Sequence, residues 1–287
     1  MNDSTCTFWG PLDEPESKIS LLVRNAIFEG LIHAPILVGN LPESAVFDRE
    51  PLHLPHPVPP LNFQQKLGHL YEEAFATLLR FCPNYNLLEA NLPVRRDQHN
   101  TVGELDFLLR ERGREKMVHL ELAIKFYLAV DTDQGPVFPG PDARDHYMKK
   151  IARLREHQLT LTQRHREHLP THYQDTEIVT RHLVLGTLFD HICAPTPSKP
   201  EFLSQQARRG QWLEVGDLRK HFDKRTPLRV IPKPLWGVPS DFLGDLNLEP
   251  FSPPPTLERC QMVLTPDHDA LFVTPNRYPN HQGAGIR

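Results

Sequence analysis

Two carboxylates stand inside runs that otherwise read as apolar strands: Asp106 in Gly103-Glu104-Leu105-Asp106-Phe107-Leu108-Leu109, and Glu121 in His119-Leu120-Glu121-Leu122-Ala123-Ile124-Lys125. From Val118 to Phe126 the even positions are all apolar, and the odd ones are His119, Glu121, Ala123 and Lys125. Side chains alternate along a strand, so this polar set shares one face. Between the runs, Arg110 to Glu115 is charged and contains Gly113, the composition of a hairpin connection. Such a hairpin brings Asp106 and Glu121 together. Close carboxylates repel, and each loses hydration on burial, so the pair calls for a cation. A hard divalent ion, Mg²⁺ or Mn²⁺, suits oxygen donors. With Lys125 on the Glu121 face, the trio suits metal-assisted hydrolysis of a phosphodiester, the lysine stabilising charge on phosphate or helping to deprotonate water. The alternative is an ordinary solvated face on which both acids are salt-bridged to nearby arginines.

Several elements must position these residues. Phe63 to Phe81 reads as a helix with Leu67, Leu70, Tyr71, Ala74, Phe75, Leu78 and Leu79 in one stripe, and Glu72 nearer its edge than Glu73. Cys82-Pro83-Asn84 ends it, and Tyr85 to Val94 reads as the first strand. After the hairpin, Gln134 to Pro141 is a turn-rich loop, and Arg144 to His168 a second helix whose inward stripe is Tyr147, Ile151, Leu154, Gln158 and Leu161. Gln158 is the odd member of that stripe, an amide that bonds backbone or reaches a phosphate. This helix carries seven Lys or Arg against three Asp or Glu, plus four histidines. Its Lys149, Lys150, Arg153 and Arg155, with Gln158, form the candidate nucleic-acid contact, against the alternative of a solvated surface helix. His165 and His168 have no matching Cys or His partners in the sequence, which argues against a zinc site. His182 to Phe189 supplies a returning strand.

At these residues the chain resembles the PD-(D/E)XK nuclease superfamily, whose core is a helix, a three-strand meander, a second helix and a further strand. Gly103-Glu104-Leu105-Asp106, His119 to Leu128 and Gly140-Pro141-Asp142-Ala143-Arg144-Asp145 look more closely like motifs of an uncharacterised bacterial domain-of-unknown-function family assigned to that superfamily. The likeness continues through Lys150-Ile151-Ala152-Arg153-Leu154 and His157-Gln158-Leu159, and weakly to Leu235-Trp236, so it covers most of the chain. It implies an α/β protein with a restriction-endonuclease-like core and Mg²⁺- or Mn²⁺-dependent cleavage of DNA or RNA. Asp106 and Glu121 would be metal ligands, the Leu122 carbonyl a further one, Glu72 (with Gly68 matching the pattern) an accessory acid, against the alternative of a solvated helix acid, and Lys125 the electrophile or water-orienting group. His119 is read as a phosphate donor or a structural partner of the acid. One departure stands out. The superfamily places its lysine two residues after the acid, where this chain has Ala123; Lys125 lies roughly 7 Å further along the strand. That displacement favours a rival reading, a non-catalytic module binding nucleic acid or a protein partner. A hydrolase of a small phosphorylated metabolite is a third.

The 287 residues allow one large or two small domains, divided here as an N-terminal helical extension and linker over 1–60, the core over 61–195 and a C-terminal extension over 196–287. Ile19 to Leu37 has helical spacing, and Leu52 to Pro60 is a proline and histidine linker. Past Pro195, Pro200 to Arg209 and Gly216 to Phe222 read as short helices, Val230 to Leu235 as a strand, and Glu249 to Arg287 as an irregular tail. Twenty-nine prolines imply long irregular connections. A net charge of −4 excludes a general affinity for nucleic acid, so any such binding needs a local basic patch. The four cysteines make no metal or redox motif. With no signal peptide and no apolar run of about 18 residues, the expected location is the cytoplasm.

Overall fold

The computed structural model describes residues 18–279 except 115 and 245. It is a mixed α/β structure. Helix α1 (Lys18–His33) leads through a short strand β1 (Ala45–Val46) to helix α2 (Leu67–Phe81), which buries Leu70, Tyr71, Ala74, Phe75, Leu78 and Leu79, the stripe that the spacing predicts. Three strands come next as an antiparallel meander, β2 (Tyr85–Arg95), β3 (Thr101–Glu111) and β4 (Met117–Leu128). Helix α3 (Tyr147–Arg153) then crosses to β5 (Ile178–His191), which pairs in parallel with β4 along its full length.

The remaining strands extend the same sheet. These are β6 (Arg208–Glu214), β7 (Arg229–Val230), β8 (Gln261–Leu264) and β9 (Ala270–Thr274), and the order across the sheet is β2-β3-β4-β5-β6-β9-β8-β7, with β1 also on β5. The segment expected to be an irregular tail therefore supplies two strands, and Leu271, Phe272 and Val273 are buried. The part beyond residue 279 lies outside the described residues. Nor is Pro200 to Arg209 a helix: it turns and enters β6, where Arg208 and Arg209 pair with Thr187 and Leu188. Val230 to Leu235 is strand only at its start and then a 3₁₀ turn. The short helix expected at Gly216 to Phe222 is present as a helical turn (Leu218–His221) behind a 3₁₀ turn.

Two apolar layers sandwich the sheet. Helices α1 and α2 pack on the face carrying Val118, Leu120, Leu122, Leu183 and Leu185, and α3 packs with Tyr127, Val184 and Leu188 on the other. The expected helix over 144–168 is broken. After α3 the chain makes a π-turn, Leu154–Gln158, closed by Leu159 N–H donating to the Leu154 carbonyl, then a short helix α4 (Leu161–Arg164) and a 3₁₀ turn, Arg166–His168. A π-turn inserts one residue into the helical repeat, which rotates the residues beyond it by about 100° relative to an α-helix. Leu159 therefore takes the buried place, at 1% exposure, that straight-helix spacing assigns to Gln158.

Where β5 passes Lys125 its partner is Gly186, at φ +136°. A Cβ there would stand 1.7 Å from the Lys125 carbonyl oxygen, an approach that only glycine permits. Gly186→Ala should thus cost about 3 kcal/mol or more in chemical denaturation. A loss below roughly 1 kcal/mol would show that β4 and β5 can part at this point without consequence.

Candidate functional site

Strands β3 and β4 pair only from Arg110 with Met117 to Phe107 with Leu120. One step further along the same register, Asp106 stands opposite Glu121, at the point where the ladder stops. The Asp106 carboxylate takes over the role of a strand partner, its Oδ2 accepting the Leu122 N–H at 2.8 Å. The hairpin predicted from Arg110 to Glu115 thus delivers the two acids to one place. A solvated face is excluded, because Glu121 is 2% exposed and His119 fully buried.

Glu121 is held from two sides. His119, two residues back on the same face, lies with Nε2 2.8 Å from Oε1, and Gln158 donates from Nε2 to Oε2 at 2.6 Å. Gln158 in turn accepts from Lys150 Nζ on its own Oε1 at 2.7 Å. The chain Lys150, Gln158, Glu121 exists because the π-turn swings Gln158 off the core stripe and toward the side of the helix that carries Lys150. The Gln158 amide reaches into the site rather than bonding backbone, and there it bridges two charged side chains. His119 Nδ1 is buried with no hydrogen-bond partner, as is the Oγ1 of Thr180, its register partner on β5.

Lys125 does not reach the acids. Its Nζ donates to Asp145 Oδ2 at 2.6 Å, and Tyr127 donates to the same oxygen at 3.4 Å. Asp145 sits just before α3, past the turn-rich loop, and its role as anchor for Lys125 carries no sequence signal beyond its motif position. The cation whose charge acts on Asp106, and which Gln158 links to Glu121, is Lys150. Burial and then the Lys125 charge lower its pKa, against the opposing pull of Glu121, Asp106 and Asp145. Glu72 faces the site from α2. Its carboxylate lies 3.1 Å from His69 Nδ1, and its charge reaches Asp106 without a direct bond.

The other predicted nucleic-acid contacts separate. Lys149 and Arg153 are exposed beside Lys150, whereas Arg155 is committed to Glu43 through Nε and Nη2 and stacks over Phe202, 4.9 Å from the ring centre. A bidentate pair of this kind leaves Arg155 poorly placed for phosphate.

Asp106 and Glu121 fit a divalent ion by donor chemistry. Burial, then the Glu121 charge, push the Asp106 carboxyl up to about 8, with Glu72 adding to the rise and the Leu122 N–H and Lys150 opposing it. Such a site gains from positive charge. Two carboxylates with water completing the shell suit Mg²⁺ or Mn²⁺. The three acids do not form a closed cage: among the described residues, the trio whose donor atoms lie within 4.8 Å of one another is His165, Glu167 and His168.

The geometry defines a mixed α/β protein with an acidic site at the end of a strand pair, Glu121 buried and Asp106 half-buried, flanked by two lysines and a glutamine. Residues 44–247 match the family described as Domain of unknown function (DUF1853), and the chain belongs to it. No curated protein and no solved structure matches the chain. Among the described residues no helix is long and apolar enough to cross a membrane.

The Asp106 environment has a consequence for stability. A carboxyl whose pKa is higher folded than unfolded binds its proton more tightly when folded. Its contribution then favours the fold at low pH, declines as pH rises through the ordinary value of 3.8, and reaches its floor near 8. Asp106→Asn keeps an acceptor for the Leu122 N–H and removes the charge. In chelator, its melting temperature should exceed that of wild type at about pH 8, with the gap closing toward about pH 4. A constant gap across that range would show that Asp106 ionises freely.

Proposed function

We propose that this chain is a metal-dependent nuclease hydrolysing phosphodiester bonds of DNA or RNA, built on a restriction-endonuclease-like core. The observation that carries the reading is Asp106 opposite Glu121 where β3 leaves β4, with lysines on the same side of the sheet. Helix, antiparallel meander, helix and parallel strand succeed one another in the order that the superfamily resemblance implies, and this supports it further.

Asp106 and Glu121 would hold Mg²⁺ or Mn²⁺, with the Leu122 carbonyl and Glu72 as the further donors that the resemblance implies. Bound there, the ion would polarise the phosphate and acidify a water molecule. The chain's own groups do the rest. His119 and Gln158 fix both oxygens of Glu121, so the carboxylate is oriented before substrate arrives. Lys150, rather than the displaced Lys125, supplies the ammonium that acts on the acids, and its lowered pKa suits a group that trades a proton during phosphate transfer. Lys125 holds Asp145, and through it the start of α3. Lys149 and Arg153 give the exposed charge that a phosphate backbone meets first. Expected partners are thus nucleic acids, and the expected location remains the cytoplasm.

A second reading, a non-catalytic module binding nucleic acid or a protein, is favoured by one observation: Lys125 pairs with Asp145 and not with the acids. Calorimetry and cleavage assays separate the two. Mg²⁺ or Mn²⁺ should bind wild type, and Asp106→Asn and Glu121→Gln should each weaken it greatly. Lys150→Ala should retain metal affinity and lose cleavage by about a hundredfold or more, and Lys125→Ala should lose less. Metal binding without cleavage of any single- or double-stranded DNA or RNA would favour the binding module. Equal metal affinity in wild type and both acid variants would remove the site altogether.

A further inference from the structure

Beyond Gln158 the chain makes the 3₁₀ turn Arg166–His168, with His165 at its N-cap. Side chains three apart eclipse in such a turn. His165 and His168 accordingly stack, ring centres 5.9 Å apart and planes 20° from parallel. Glu167, between them, lies with Oε1 3.3 Å from His168 Nε2. One donor atom from each of the three falls within 4.8 Å of the others. We propose that this turn is a second metal site, separate from the acid pair, that takes a borderline-soft divalent ion of the Zn²⁺ class.

The donor set decides the ion. Two imidazoles and one carboxylate are ligands of zinc, whereas Mg²⁺ prefers oxygen alone. With ligands about 2.0–2.2 Å from Zn²⁺, donors in a tetrahedral shell stand roughly 3.4 Å apart. The His168 to Glu167 spacing is already there, and the His165 donor stands within 4.8 Å of both. The backbone is fixed in advance. His168 N–H donates to the His165 carbonyl at 3.0 Å, Gln174 Nε2 donates to the carbonyls of Glu167 and Leu169, and Leu169 is buried. Arg166, whose charge would oppose an ion, points elsewhere, its guanidinium donating to the carbonyls of Gln174 and Thr176. Glu167 is largely exposed and both histidines are partly so, which leaves an entry path and a fourth position open to water. The sequence offers His165 and His168 no Cys or His partner; the third ligand is the glutamate lying between them. Bound there, an ion would staple the turn itself, since all three ligands lie within residues 165–168.

The test uses untagged full-length protein, freed of metal by chelator, titrated with Zn²⁺ by calorimetry and with Co²⁺ by visible absorption. Wild type should bind one Zn²⁺ that excess Mg²⁺ does not displace, and Co²⁺ should give the intense bands of a tetrahedral site. His165→Ala and His168→Ala should each weaken Zn²⁺ by at least the roughly tenfold that loss of even an outer-shell partner costs. Asp106→Asn with Glu121→Gln should leave that binding intact, which keeps this site's fate apart from that of the proposed nuclease centre. Matching circular dichroism of the metal-free proteins checks that the variants fold. Equal Zn²⁺ affinity in wild type and the double variant His165→Ala with His168→Ala would overturn the proposal, as would loss of Zn²⁺ binding in the acid variants alone.

Discussion

A carboxylate sealed under a helix has to be matched by donors or expelled, and the arrangement around Glu121 results from that requirement. At 2% exposure it has almost no access to solvent. A buried carboxylate without partners is costly, and Glu121 has a donor on each oxygen, one from its own strand and one from the helix above. The strand donor comes free with the two-residue period of β4. The helix donor does not: it requires Gln158 to leave the apolar stripe, which the π-turn achieves by adding one residue to the repeat. Helix, sheet and acid are therefore fitted to one another through a single amide.

Asp106 meets the same problem differently. It has the Leu122 N–H and little else, so its charge is opposed by burial and by Glu121. The two acids of the pair are unequal for that reason: one is held firmly by side chains, the other left short of compensation. An inequality of this kind marks where a cation gains most, and π-turns recur at functional sites because they trade helical regularity for the aim of one side chain.

Much of this is legible in the chain. The parity of His119, Glu121 and Lys125 fixes their common face, and the stripe of α2 and the hairpin between β3 and β4 emerge from spacing and from Gly113. Periodicity fails where the period itself changes. Gln158 sits on a straight-helix stripe with Ile151 and Leu154, and only the three-dimensional structure shows Leu159 in its place. Lys125 is legible as a member of the face but not as a partner of Asp145, because the loop before α3 has no period to read. Strands β8 and β9 are lost among prolines. They are short, and what makes them strands is pairing with each other and with β6, which lies far away in sequence.

That distant pairing bears on how the chain is assembled in time. Synthesis proceeds from the N-terminus, so the meander, α3 and β5 can form while the later chain is still being made. Strand β6 can join β5 at once, but its other edge belongs to β9, which arrives only after the long proline-punctuated stretch. Until then, β6 presents an open row of backbone groups next to a half-covered apolar surface, the condition in which strands of different molecules find each other. The acidic centre is thus built from early, local elements, while the sheet edge that protects the molecule from its neighbours is closed late.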